Sequence, residues 1–215
     1  MAIPLPRRSG AALALAACSL ALAGCGGSEP EGTGAAAAPA AGVATTPAAD
    51  RGPSLLRGRI EMIDGSTLPL GRLRGRVVLA VNTASRCGYT PQFEALEALH
   101  ESRAGDGLAV IGFPSNDFRQ ELTADGEIAD FCRLNYGVSF PMAASSRVTG
   151  QGANPLFAAI AARPGPAGEP PDWNFGKYLL DRSGRLVARF PSSVEPDDPA
   201  LLSAVDALLT EERDL

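Results

Sequence analysis

The sequence predicts an α/β fold, a central mixed β-sheet flanked by helices. Two continuous apolar runs, Arg76–Val81 and Leu108–Phe113, enclose an amphipathic stretch from Pro91 to Ser102. A further helical segment and a hairpin signal follow them. Strand, helix and strand in succession, then helix and hairpin, is the order of a layered sandwich rather than of a bundle or a barrel.

The elements follow along the chain. Asp64-Gly65, between the short apolar stretches of Arg59 to Leu70, marks an N-terminal β-hairpin. Arg76 to Val81 is a buried strand. Pro91 suits the first position of the next helix and Thr90 its cap. Leu108 to Phe113 is a second buried strand. Glu127 to Tyr136 reads as a helix with Ile128, Phe131 and Cys132 on one face, and Asn154 to Ala162 as another. Lys177–Leu180 and Arg185–Phe190 form a hairpin about Ser183-Gly184. The last helix, Ala200 to Thr210, carries Leu201, Leu202, Val205, Leu208 and Leu209 as its apolar face.

Composition narrows the chemistry. The chain has 215 residues, is 45% hydrophobic and 20% charged, and carries a formal charge of -5. With no basic stripe to neutralise phosphates, nucleic acid is not an expected partner. One histidine and four cysteines leave no Cys-x-x-Cys or His-x-x-x-His spacing for a metal, and no cofactor is implied. A Cys-His pair requires His100 to fold back onto Cys87 from the far end of its helix.

Residues 1–24 read as an export signal: Arg7 and Arg8 precede an apolar run too short to span a bilayer. The signal ends in Leu22-Ala23-Gly24-Cys25, which resembles the lipobox of bacterial lipoproteins and implies a lipid on Cys25. Residues 25–54, rich in Gly, Ala and Pro, cannot bury enough surface to offset their ordering entropy and read as a flexible tether. The folded domain is expected over 55–215, with Cys87 and Cys132 as its thiols. The chain is thus expected to be exported and anchored to a bacterial membrane, facing the periplasm or the cell exterior.

Cys87 lies between a strand and a helix, where a fold can hold a thiolate; the plain alternative is a small buried hydrophobe. Around it four blocks resemble the glutathione peroxidase family, whose members have a thioredoxin-like fold. They are Val81-Asn82-Thr83-Ala84-Ser85-Arg86-Cys87-Gly88-Tyr89-Thr90-Pro91-Gln92-Phe93, Gly112-Phe113-Pro114-Ser115-Asn116-Asp117-Phe118-Arg119-Gln120-Glu121, Phe131-Cys132-Arg133-Leu134-Asn135-Tyr136-Gly137-Val138-Ser139-Phe140-Pro141-Met142, and Trp173-Asn174-Phe175. The resemblance implies a peroxidase with the catalytic set Cys87, Gln120, Trp173 and Asn174.

The residue types suit that chemistry. A thiol with a pKa of about 8.5 must be held as thiolate to attack a peroxide oxygen, and it then becomes a sulfenic acid. Amide and indole N–H groups favour the anion and help deliver a proton to the departing oxygen. Taken singly, Gln120 reads equally as a surface amide, Trp173 as a rim aromatic and Asn174 as a turn residue.

By the same resemblance Cys132 resolves the sulfenic acid as a Cys87–Cys132 disulfide, which a thioredoxin-like donor or glutathione reduces. A structural role on its apolar helix face is the alternative. The second block departs from the family pattern. Phe118-Arg119-Gln120-Glu121-Leu122 is one residue shorter and lacks the family's glycines and proline, so the loop must carry Gln120 with less slack. Ser115 stands where many members have a cysteine. The short Ala161–Asp172 connection leaves no room for the loop of tetrameric members and implies a monomer. The expected substrate is hydrogen peroxide or an organic or lipid hydroperoxide. The other classes open to such a chain are a thiol redox sensor or relay and a thioredoxin-like disulfide oxidoreductase.

Overall fold

The computed structural model describes residues 42–211. Five strands form one sheet in the order β1 (Ala44–Thr45), β7 (Leu186–Phe190), β6 (Lys177–Leu180), β4 (Val77–Thr83) and β5 (Leu108–Pro114). β4 and β5 are parallel, joined by helix α1 (Gln92–Arg103), and the other pairings are antiparallel. A separate hairpin, β2 (Arg59–Glu61) and β3 (Thr67–Pro69), turns at Asp64-Gly65, where the Ser66 amide donates to Asp64 Oδ1 at 2.9 Å. Helices α2 (Asp125–Tyr136), α3 (Pro155–Ala161) and α4 (Pro199–Thr210) complete the described fold.

Every residue of β4 and β5 is buried, as expected for strands covered on both faces. Side chains alternate across a strand, so β4 serves two cores. Val77, Leu79 and Val81 pack with Phe93, Leu96 and Leu99 of α1 and with Leu201, Val205 and Leu208 of α4. Val78 and Ala80 pack with Leu156, Phe157 and Ile160 of α3 and with Ile60 of the hairpin. The two helices whose first residue is proline are each capped by the side chain of the residue before it. Asn154 Oδ1 accepts from the Phe157 amide at 3.2 Å, and Asp198 Oδ1 from the Ala200 amide at 2.8 Å.

The segment 142–143 lies along the outer edge of β5, bridging Gly112 through Met142 and the hairpin's Met62 through Ala143. A Cβ at Gly112 would overlap Met142 Sδ, so the methionine side chain would have to move to admit one. The segment also shields an edge that would otherwise offer unpaired backbone groups.

The tether expected over 25–54 is corrected in its last part. Ala44 and Thr45 pair with Arg189 and Ala188 of β7, the Thr46 amide donates to Val187 O at 2.7 Å, and the Leu55 amide donates to Gly184 O at 2.7 Å. The physical reason is the open edge of β7, whose unpaired backbone groups take up a segment with little side-chain surface of its own. The expected signal over 1–24, the Cys25 lipid site and the remainder of the tether lie outside the described residues. Among the described residues, no helix is long and apolar enough to cross a membrane.

Candidate active site

β4 ends at Thr83, and the chain turns through Ala84–Pro91 before α1 begins. Thr90 closes this turn: its Oγ1 accepts from the Cys87 amide at 3.0 Å and donates to Ala84 O at 2.9 Å. The sequence assigned Thr90 to the helix cap, but Pro91 occupies that position and α1 has no side-chain cap. A threonine hydroxyl can satisfy backbone on either side of it, and here the turn takes it. Cys87 is 8% exposed, and its Sγ accepts from the Tyr89 amide at 3.4 Å.

Two distant segments converge on this turn, held by three ties. The Arg86 amide donates to Gln120 O at 2.9 Å, tying the second block to the residue before Cys87. Asn174, fully buried, donates from Nδ2 to Gln120 Oε1 at 2.8 Å. That bond spends the Gln120 oxygen on Asn174 and leaves the Gln120 NH₂ as the free end of the amide. The third tie is Asn82, on β4. Its Nδ2 donates to Trp173 O at 3.0 Å and its carbonyl accepts from the Phe175 amide at 2.6 Å, fixing the Trp-Asn pair to the strand that leads into the Cys87 turn. Phe175 adopts a φ of 65° to make this turn.

Cys87, Gln120 and Asn174 are therefore joined through one bonded framework. Trp173 belongs to it by its backbone, while its ring is 42% exposed and leans on Phe118 at 5.5 Å between centroids. It borders an open cleft of about 340 Å³ shared with Tyr89, Asp172, Pro191, Ser192 and Ser193. Among the described hydrogen bonds, the donor to Sγ is the Tyr89 amide; the side chains of Gln120, Trp173 and Asn174 make none to it. The shortened loop keeps Gln120 in place through a left-handed residue, Arg119 at φ 60°, whose amide donates to Asn116 O at 2.9 Å.

Cys132 is buried on α2 and, like Cys87, is a free thiol. Burial, and after it the charge of Glu121, pushes its thiol up to about 12. His100 packs edge-on against Phe140, 6.1 Å between centroids, and takes no part in the Cys87 framework.

Sequence reasoning missed three polar residues here. Asn82 stood inside the matched block without a role. Glu121 is buried and its Oε1 accepts from the Ser85 amide at 3.0 Å and the Leu122 amide at 2.8 Å. Lys177, the only lysine of the chain, is fully buried on β6. Its Nζ donates to Val194 O at 2.5 Å, and Gln92 Nε2 donates to Ser192 O at 2.7 Å, so both brace the loop bordering the cleft. A lone lysine in a strand was the one available signal.

Burial lowers the Lys177 amine to about 7. A folded pKa below the unfolded value means that the unfolded chain binds more protons between the two, so stability rises with pH across that window. Denaturant midpoints measured from about pH 7 to about pH 9 should increase, and Lys177→Met should flatten the increase. A wild-type midpoint that falls over this range contradicts the assignment.

Comparison with known proteins gives the same placement. The family model described as glutathione peroxidase matches residues 57–161. The chain is 43% identical to a glutathione peroxidase-like peroxiredoxin of Schizosaccharomyces pombe, over 62% of this chain and 86% of that protein. It is 44% identical to a hydroperoxy fatty acid reductase of Synechocystis, over 64% of this chain and 86% of that protein. The crystal structure of T. cruzi GPX1 superimposes with a TM-score of 0.58 at 30% identity, covering 73% of this chain and 96% of that one. The chain belongs to the glutathione peroxidase family and is a thiol peroxidase that reduces hydroperoxides on a thioredoxin-like fold.

Proposed function

We propose that Cys87 is the peroxidatic sulfur, that Gln120, Asn174 and Trp173 serve it, and that Cys132 resolves it. The observation that supports this reading best is the bonded framework in which Asn174 holds Gln120 by its oxygen beside the Cys87 turn. As thiolate, Cys87 attacks the terminal oxygen of the hydroperoxide. The S–O bond forms, the O–O bond breaks, and the departing oxygen takes a proton to leave as water or alcohol. The free Gln120 amide and the Trp173 indole are the donors that turn toward the reacting oxygens when substrate fills the cleft.

The Cys87 sulfenic acid then condenses with Cys132, losing water. Of the twelve residues of α2, only Ile128 and Cys132 are buried. Unwinding that helix exposes two core side chains at about 1.5–3 kcal/mol each, within reach of local opening. A thioredoxin-like donor reduces the disulfide; glutathione, met by Arg86 and Arg119 at the rim, is the other reductant of matching chemistry.

The lipobox-like Cys25 and the linker support a location on the outer side of a bacterial membrane, served by a donor of that compartment, and the short Ala161–Asp172 connection supports a monomer. Organic hydroperoxides, including those of fatty acids on which the Synechocystis relative is named to act, are then substrates within its reach.

The test is single turnover. Cys132→Ser should consume one equivalent of peroxide per chain, hold Cys87 as a sulfenic acid and fail to cycle with a thioredoxin. Steady-state turnover equal to wild type rules out the resolving role.

A further inference from the structure

Closing a disulfide from a buried thiol needs a proton acceptor, and the chain's single histidine lies against Phe140 instead. Glu121 stands where an acceptor is needed. It follows Gln120 directly, is 6% exposed, and is bound to the Cys87 turn through the Ser85 amide. Its backbone is held in turn, the Glu121 amide donating to Asn116 Oδ1 at 3.2 Å. Both amides that reach the carboxylate fall on Oε1, so Oε2 has no protein donor among the described hydrogen bonds. Leu122, the next residue, packs against the core cluster that holds both Cys87 and Cys132, and the Glu121 charge reaches the Cys132 sulfur. This carboxylate is thus bound to the Cys87 turn and adjoins a residue packed on the core that both thiols share.

We propose that Glu121 is the base of the resolving step, taking the Cys132 thiol proton as that sulfur attacks the Cys87 sulfenic acid. The Cys132 S–H bond breaks and the S–S bond forms. The Cys87 S–O bond breaks, and the proton passes from Glu121 to the leaving hydroxide, giving water. Cys132 sulfur is oxidised, the sulfenic sulfur is reduced, and Glu121 ends as the carboxylate it began as. The proposal rests on the reading of Cys132 as the resolving cysteine.

The surroundings suit a base. Burial raises the Glu121 carboxyl above its ordinary range, against the hydrogen bonds from Ser85 and Leu122 and the charge of Arg86, and a higher pKa strengthens proton acceptance. These groups, with Cys132 on α2, are the polar and titratable neighbours that bear on it.

The experiment follows both steps after reduced full-length protein meets hydrogen peroxide, by rapid quench and thiol mass spectrometry. Glu121→Gln retains an oxygen for the Ser85 and Leu122 amides but cannot take the proton. Its disulfide step should slow by about 10²-fold at neutral pH and lose its dependence on acid, while sulfenic acid accumulates. Glu127→Gln, on the exposed side of α2, should match wild type in both steps. Disulfide formation by Glu121→Gln at the wild-type rate overturns the proposal.

If that variant does not fold, the wild-type pH profile decides. The resolving rate must fall on acidification, as the carboxylate is protonated, and a flat profile overturns the assignment. Wild-type protein that oxidises at Cys87 yet never forms the Cys87–Cys132 bond overturns the resolving reading itself, and Glu121 with it.

Discussion

Cys87→Ser reduces hydroperoxide turnover to the uncatalysed background. An alcohol at this position is neither ionised at neutral pH nor able to accept an oxygen atom, so no step replaces sulfenic acid formation. The loss is chemical and not structural. Serine is nearly isosteric, Cys87 is 8% exposed, and a hydroxyl can still accept from the Tyr89 amide. Thermal stability should therefore stay within about 1 kcal/mol of wild type. Peroxide consumption with excess thiol reductant, read beside a melting curve, separates the two effects. An active Cys87→Ser enzyme would move the chemistry to another residue.

Asn174→Ala should slow oxidation of Cys87 by about 10²- to 10³-fold, the size expected for losing a preorganised donor set. Asn174 is fully buried and its single side-chain bond in the framework is the 2.8 Å contact to Gln120 Oε1. Without it the Gln120 oxygen loses its partner and the amide is free to present either end to the Cys87 turn. Leaving that oxygen unsatisfied costs about 1–3 kcal/mol, so stability should fall as well. The second-order rate of thiol loss, followed by stopped flow at matched temperature below both melting points, isolates the catalytic part. A rate within threefold of wild type would show that Gln120 needs no support from Asn174.

Much of this was legible in the sequence, because local punctuation and period carry it. Apolar runs bounded by turn residues located β4 and β5, and Pro91 located the start of α1 to within a residue. The helices expected over Asn154–Ala162 and Ala200–Thr210 stand at Pro155–Ala161 and Pro199–Thr210, each capped by the residue before its first proline. Cys87, Gln120 and Asn174 came from their matched blocks, and the structure joins them through bonds spanning 54 residues.

What escaped was set by partners far along the chain. Glu121 is buried because its acceptor oxygen serves Ser85, 36 residues away, and Asn82 matters through the Trp173 carbonyl, 91 residues away. Nothing adjacent to either residue signals the partner. Lys177 reads as a solvated cation until the fold surrounds it with the carbonyls of the loop after β7. The small segment at 44–45 has no strand signal of its own and becomes one only because β7 leaves an edge open. Thr90 erred in the other direction: its residue type predicted a cap, and a competing backbone pair nearby took the hydroxyl.

The most direct test is to treat the Cys132→Ser chain with one equivalent of hydrogen peroxide in the presence of a sulfenic-acid trap such as dimedone, and to locate the adduct by peptide mass spectrometry. The account predicts a single adduct at Cys87, formed as fast as peroxide disappears. Peroxide consumed with Cys87 left as an unmodified thiol would contradict it.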